Sequence, residues 1–141
     1  MNSKQIELVR SSWARVSAID DVTFGSRFYN RLFEMAPDIR ALFNRPIPEQ
    51  SRKLVTILDH VIEKIDALED IIENVVKLAH RHENYVVKPE HYTVVGEALI
   101  WTLEKEMGNL WNEDLKVAWT MCYVTISTAM LQAMKQLRLR G

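Results

Sequence analysis

The chain has 141 residues, enough for one folded domain with a continuous core, and its 18 basic and 19 acidic side chains leave a formal charge of −1. With 48% hydrophobic residues the composition is that of an ordinary folded protein, and the balanced charge removes the electrostatic reason to expect a nucleic-acid or lipid-surface partner. Cys122 is the single cysteine and Met1-Asn2-Ser3-Lys4 lacks an apolar signal core, so no intrachain disulfide forms and a reducing cytoplasm is the expected setting.

Apolar residues at helical spacing predict a first helix over residues 4–18, with Trp13 in the core. A second helix covers 22–35 and contains Gly25, which inside a helix costs roughly 1 kcal/mol relative to Ala. Close passage of another helix backbone explains it, and Ser51, small on an otherwise bulky helix, is the expected partner. Pro37, Pro48 and Pro89 open helices over 37–43, 48–66 and 89–107. Each proline falls in a first turn, where a missing N–H costs nothing. A further helix is expected over 69–84, with a weak boundary near 67–69 because Ile65-Asp66-Ala67-Leu68-Glu69 holds no breaker. Gly108 marks a helix end, and Asn112 with Glu113 and Asp114 starts a last helix over 112–137, with Trp119 in the core. No run alternates convincingly with period two, so the class is all-α, one domain over 1–141. Val117 to Met134 has no formal charge and is long enough to span a bilayer. Thr120, Thr125, Ser127, Thr128 and Gln132 interrupt it, and a helix weakly polar on every side reads as the central helix of an all-α core.

Two polar residues break otherwise apolar helix faces. Ile71, Val75, Leu78, His82 and Val86 form one stripe; Gln50, Leu54, Leu58, Val61 and Ile65 form another. An imidazole at the end of an apolar stripe is a metal ligand or a hydrogen-bonded core histidine, and spacing alone leaves both open. A plate-like cofactor with iron at its centre, clamped between the two helices, would account for both residues. His80 lies roughly 200° around the helix from His82 and is expected in solvent, and His60 sits roughly 15 Å along its helix from Gln50. His91, beside Pro89-Glu90, is expected at the surface.

Several segments carry a resemblance. They are Phe28-Tyr29-Asn30-Arg31-Leu32-Phe33, Ala36-Pro37 with Phe43 six residues after the proline, Gln50-Ser51-Arg52-Lys53-Leu54, and Ala79-His80-Arg81-His82. Lys88-Pro89-Glu90-His91-Tyr92-Thr93-Val94-Val95-Gly96-Glu97 is the most specific, and Ala118-Trp119 and Tyr123 follow. In this order and spacing the chain resembles, over essentially its whole length, bacterial single-domain globins: the haem domain of flavohaemoglobins and the neuroglobin-like bacterial globins. The resemblance implies a globin fold, a three-over-three helical sandwich around a b-type haem.

It further implies His82 as the proximal iron ligand, with Tyr29 as a donor to bound O2 on the opposite side and Gln50 facing the same position, its amide N–H donating to the ligand or its oxygen accepting from Tyr29. Phe43 would stack on the porphyrin, and Phe28, Leu54, Leu58, Leu78, Val95 and Leu99 would line the pocket, although ordinary core packing explains each equally well. Lys53 and Arg81 could pair with the propionates, or simply be solvated. Tyr92, ten residues after His82, matches a tyrosine that in flavohaemoglobins acts with a glutamate to make the proximal imidazole more anionic; here Met134 stands at the glutamate's position. The imidazole is then expected to push less electron density onto iron.

The implied ligands are O2, NO and CO, in reversible O2 binding with high affinity or in NO dioxygenation. The sequence ends at Gly141 without flavin or nicotinamide domains, so turnover is expected to need an external reductase. The alternatives are a gas sensor without turnover and a helical interaction module without haem.

Overall fold

A computed structural model describes residues 1–43, 45–67 and 89–140. The expected 69–84 helix, and with it Leu78, His80, Arg81 and His82, lies outside the described residues. Within them the elements are helical, with no strand.

The helix starts follow local chemistry. Helix α1 (Ser3–Val16) opens on a capping box: the Gln5 N–H donates to Asn2 Oδ1 at 2.8 Å and the Asn2 N–H to Gln5 Oε1 at 3.1 Å. Helix α2 (Asp21–Met35) is capped by Asp20, whose Oδ2 accepts from the Thr23 N–H at 3.0 Å. The short helix after Pro37 is a 3-10 turn, Pro37–Leu42, and Pro48 sits in the first turn of α3 (Ile47–Glu63). Helix α4 (Pro89–Met107) ends at Gly108, whose φ of +55° is a left-handed conformation that glycine adopts without a Cβ penalty. A 3-10 turn, Gly108–Leu110, leads to α5 (Glu113–Arg140), where Asn112 Oδ1 accepts from the Leu115 N–H at 2.9 Å.

One boundary departs from the expectation. Helix α3 stops at Glu63 rather than 66, and the Ala67 N–H closes a turn onto the Lys64 carbonyl at 2.8 Å. No local residue breaks it. Arg10 on α1 donates from Nε to the Ile62 carbonyl at 3.3 Å and from Nη2 to the Glu63 carbonyl at 3.0 Å. A side chain more than fifty residues away in sequence therefore satisfies carbonyls that another helical turn would otherwise have taken.

Packing gathers these helices around a core that includes Trp13, Phe24 and Trp119. Helix α2 packs on α3 and α4, α4 on α5, and α1 lies against α5, α4 and α3. The Trp13 ring meets Phe24 edge-on at 5.6 Å and Trp119 at 6.2 Å, and both tryptophans are buried as expected. Their indole N–H groups are satisfied. Trp119 Nε1 donates to Ser12 Oγ at 2.9 Å and Trp13 Nε1 to Asp59 Oδ1 at 2.6 Å. No helix among the described residues is long and apolar enough to cross a membrane.

Candidate functional site

The α2–α3 crossing places the residues of interest. Gly25 is buried, and a Cβ built on it would overlap Ser51 Cβ and Oγ and lie 2.6 Å from Ser51 Cα. The two backbones touch where the glycine and serine were expected to meet. Tyr29 sits one turn beyond Gly25, and Gln50 is the neighbour of Ser51. The crossing therefore fixes the separation of the two helices at the point from which both polar side chains project.

Gln50 is 7% exposed, and its Nε2 is buried with no hydrogen-bond partner among the described residues. Leaving a buried amide donor unmet costs about 1–3 kcal/mol. A folded chain retains such a group when something else supplies the acceptor. Tyr29, 5% exposed, is set in an aromatic cluster, its ring centroid 4.9 Å from Phe28, 5.4 Å from Phe43 and 5.9 Å from Phe33. Phe43, carried by the segment after the 3-10 turn, is half-buried and also lies 6.2 Å from Phe33.

The apolar candidates divide by depth. Phe28 and Leu99 are buried in the core, whereas Leu54, Leu58 and Val95 are half-buried. On α3 the residues turned furthest inward include Ser51, Val55 and Ile62, because α2 packs on that side; Leu54 and Leu58 flank them. Lys53 is exposed, with Nζ 3.8 Å from Glu49 Oε1, the same oxygen that Arg45 Nη1 approaches at 3.0 Å. His60 is exposed, and His91 in the first turn of α4 is half-buried rather than at the open surface.

Tyr92 is half-buried, also in the first turn of α4, and its carbonyl accepts a 2.6 Å bond from the Tyr123 hydroxyl. A Cβ on Gly96 would stand 2.5 Å from Tyr123 Cε2, so the ring lies directly on the α4 backbone. Burial, with Tyr92 nearby, pushes the Tyr123 phenol above its usual range. This clasp was not anticipated from the sequence. Its signal was Gly96, a second glycine inside a helix, open to the same argument as Gly25.

Known proteins bear on this arrangement. A flavohemoprotein of Bacillus subtilis is 29% identical over 134 residues, covering 93% of this chain and 33% of that protein. The chain thus spans about a third of the length of the curated flavohemoproteins it matches. A neuroglobin of Tetraodon nigroviridis is 26% identical over 144 residues, covering 92% of this chain and 90% of that one. Among solved structures, an engineered carbene transferase from Rhodothermus marinus, described as a nitric oxide dioxygenase candidate, superposes with a TM-score of 0.85 at 23% identity, over 99% of this chain and 96% of that one. The sequence profile of the globin family matches residues 26–130, and with its described residues helical throughout their regular elements the chain belongs to the globin family, whose cofactor is haem b with its iron.

Proposed function

We propose that this globin binds O2 reversibly, and NO and CO by the same chemistry, with Gln50 and Tyr29 as donors to the ligand and His82 as the iron ligand on the opposite side. One observation carries the reading: the buried Gln50 Nε2 that has no acceptor among the described residues. It fits the cofactor, because a polar diatomic at the iron supplies the missing acceptor. Haem iron provides the position at which such a ligand binds and leaves.

The chain's own residues do the rest. Phe28, Phe43, Leu54, Leu58, Leu78, Val95 and Leu99 form the apolar wall that keeps water out. Tyr29 and Gln50 direct donors at the charge that O2 acquires on binding, each bond worth about 1.5–3 kcal/mol. CO acquires less charge and gains less. High O2 affinity and slow release follow. Lys53 and Arg81 neutralise the propionates at the rim. Tyr92 steadies the proximal side, and Met134 in place of a carboxylate leaves the imidazole less anionic, disfavouring peroxidase-like chemistry. Oxidation of NO by O2 to nitrate is a second mode, supported by the name of the Rhodothermus protein. It consumes one electron per turnover, which a reductase supplies. Residues 1–141 act as one globin domain in the cytoplasm under this proposal.

Ferrous and ferric absorption spectra with and without O2 test the cofactor and ligand together. Stopped flow tests the donors: Tyr29→Phe accelerates O2 release by at least about tenfold, the equivalent of one lost charge-assisted bond. An unchanged release rate removes Tyr29 from the site. A His82→Leu variant that keeps the same fifth-ligand signature overturns the assignment of the iron ligand. Nitrate produced from NO and the O2 complex, with turnover restored by added reductase, separates dioxygenation from simple binding.

A further inference from the structure

Positive charge gathers where the pocket residues reach the surface. From Asp38 to Lys53 the sequence holds Arg40, Arg45, Arg52 and Lys53 against Asp38 and Glu49, in a chain whose formal charge is −1. All four cations are exposed. Glu49 on α3 answers two of them. Its Oε1 lies 3.0 Å from Arg45 Nη1 and 3.8 Å from Lys53 Nζ, which aligns Arg45, Glu49 and Lys53 along one edge of the helix. Arg52 stands beside Lys53 with no ion-pair partner among the described residues. Arg40 has none either, and its guanidinium lies 5.2 Å from the centre of the Phe33 ring. The far end of α3 has the opposite character, with Asp59, Glu63 and Asp66 against Lys64 and the Arg10 that reaches Asp66.

This basic stretch coincides with the rim of the proposed gas-binding pocket. Arg40 and Arg45 flank Phe43 in the chain, Lys53 precedes Leu54, and Phe43 and Leu54 are both half-buried. Gln50 lies between Glu49 and Arg52 at the same end of α3. Partly exposed apolar residues bordered by charged ones, with arginine prominent, have the make-up of a protein-docking surface. The proposed chemistry uses Lys53, on a propionate, and leaves the three arginines without a task.

We propose, resting on the haem reading above, that Arg40, Arg45 and Arg52 dock an acidic electron-donor protein, which returns the ferric iron left by NO oxidation to the ferrous state. Each encounter oxidises the donor by one electron and reduces Fe3+ to Fe2+, and no bond forms or breaks. Charge selects the partner. A cluster of exposed cations speeds the approach of an anionic surface and fixes where it lands. The acidic far end of α3 repels the same surface, which steers the donor to the end that carries Phe43, Gln50 and Leu54. An anionic bilayer is the weaker fit. Polybasic lipid recognition takes on the order of four to eight clustered Lys or Arg, whereas here two carboxylates interrupt four cations. Ile57 is the one large exposed apolar side chain on α3 among the described residues, too little to form an inserting face.

The haem-loaded full chain, probed with flavodoxin as a small acidic one-electron donor, tests this docking. The 15N-labelled CO complex is titrated with oxidised flavodoxin at about 10 mM salt, where charges act over roughly 30 Å. Amide shifts are expected at residues 40, 45, 52 and 53. In stopped flow, reduction of the ferric protein by reduced flavodoxin is expected to slow at least about tenfold on raising salt to about 0.3 M. Arg45→Glu and Arg52→Glu, each with the parent's CO spectrum, are expected to slow it at least about tenfold at low salt and to raise the dissociation constant in step. Lys116→Glu on α5, an equal change in charge, leaves both within about twofold. Shifts elsewhere, no binding at low salt, or a complex indifferent to both arginine substitutions overturns the proposal. Tighter binding to phosphatidylglycerol vesicles, lost in the same variants, assigns the face to a membrane and overturns it too. Spectra of the O2 and CO complexes read the gas-binding proposal separately, so a protein that forms both yet ignores flavodoxin fails here alone.

Discussion

Gly25→Ala tests whether the α2–α3 crossing sets both stability and the spacing of the polar pair. The added Cβ would stand 2.6 Å from Ser51 Cα, whereas an ordinary carbon contact is roughly 3.5–4 Å. A backbone atom cannot rotate aside, so the helices must separate by about 1 Å. Overpacking of a filled core costs about 1–3 kcal/mol and occasionally more, and a backbone obstacle places this site at the upper end. Alanine recovers roughly 1 kcal/mol of helix propensity. The net loss is about 2 kcal/mol, or roughly 6–8 °C in melting temperature for a chain of this size. Urea unfolding of the apoprotein measures it, with Ser51→Gly added as partial relief, since the Ser51 Cβ and Oγ then vanish while Cα remains. Because Tyr29 and Gln50 stand beside the crossing, the same variant is expected to speed O2 release in the haem-loaded protein. A Gly25→Ala apoprotein as stable as the parent refutes the close-contact argument.

Gln50→Leu removes the buried unmet amide, so the apoprotein is expected to gain about 1–2 kcal/mol in urea unfolding while the loaded protein releases O2 faster; a less stable apoprotein means that Nε2 has a partner. Arg10→Ala strips the cap from α3 and is expected to cost about 1 kcal/mol, with faster amide exchange at residues 64–67; unchanged exchange there would place the helix stop elsewhere. Burial pushes the Cys122 thiol up from 9.0 to about 12. The folded state thus holds a proton that the unfolded state releases, so the thiol's contribution to stability is full below pH 9 and falls as pH rises from about 9 to about 12. Thiolate absorbance that appears near pH 9 in the folded protein contradicts this.

Much of the chain was legible locally. Pro37, Pro48 and Pro89 mark first turns, Gly108 takes the left-handed conformation expected of a helix end, and Asn112 caps α5. These features arise from φ restriction, a missing N–H or a side-chain oxygen within three residues, so neighbouring residues suffice to specify them. The Gly25–Ser51 contact was also readable, because a glycine in a helix interior is a cost that only close packing explains.

Tertiary structure decided what depended on distant groups. No neighbour of Glu63 ends α3; Arg10, on another helix, does. The apolar stripe put Gln50 on an inward face, but which of its amide atoms lacks a partner was set by the fold, and nothing near Tyr123 indicated that its hydroxyl would hold the Tyr92 carbonyl. The sequence determined where helices start and which faces are apolar, because backbone geometry and periodicity act over a few residues. Whether a polar atom is satisfied depends on what the whole fold brings within about 3 Å of it, and only the packed chain decides that.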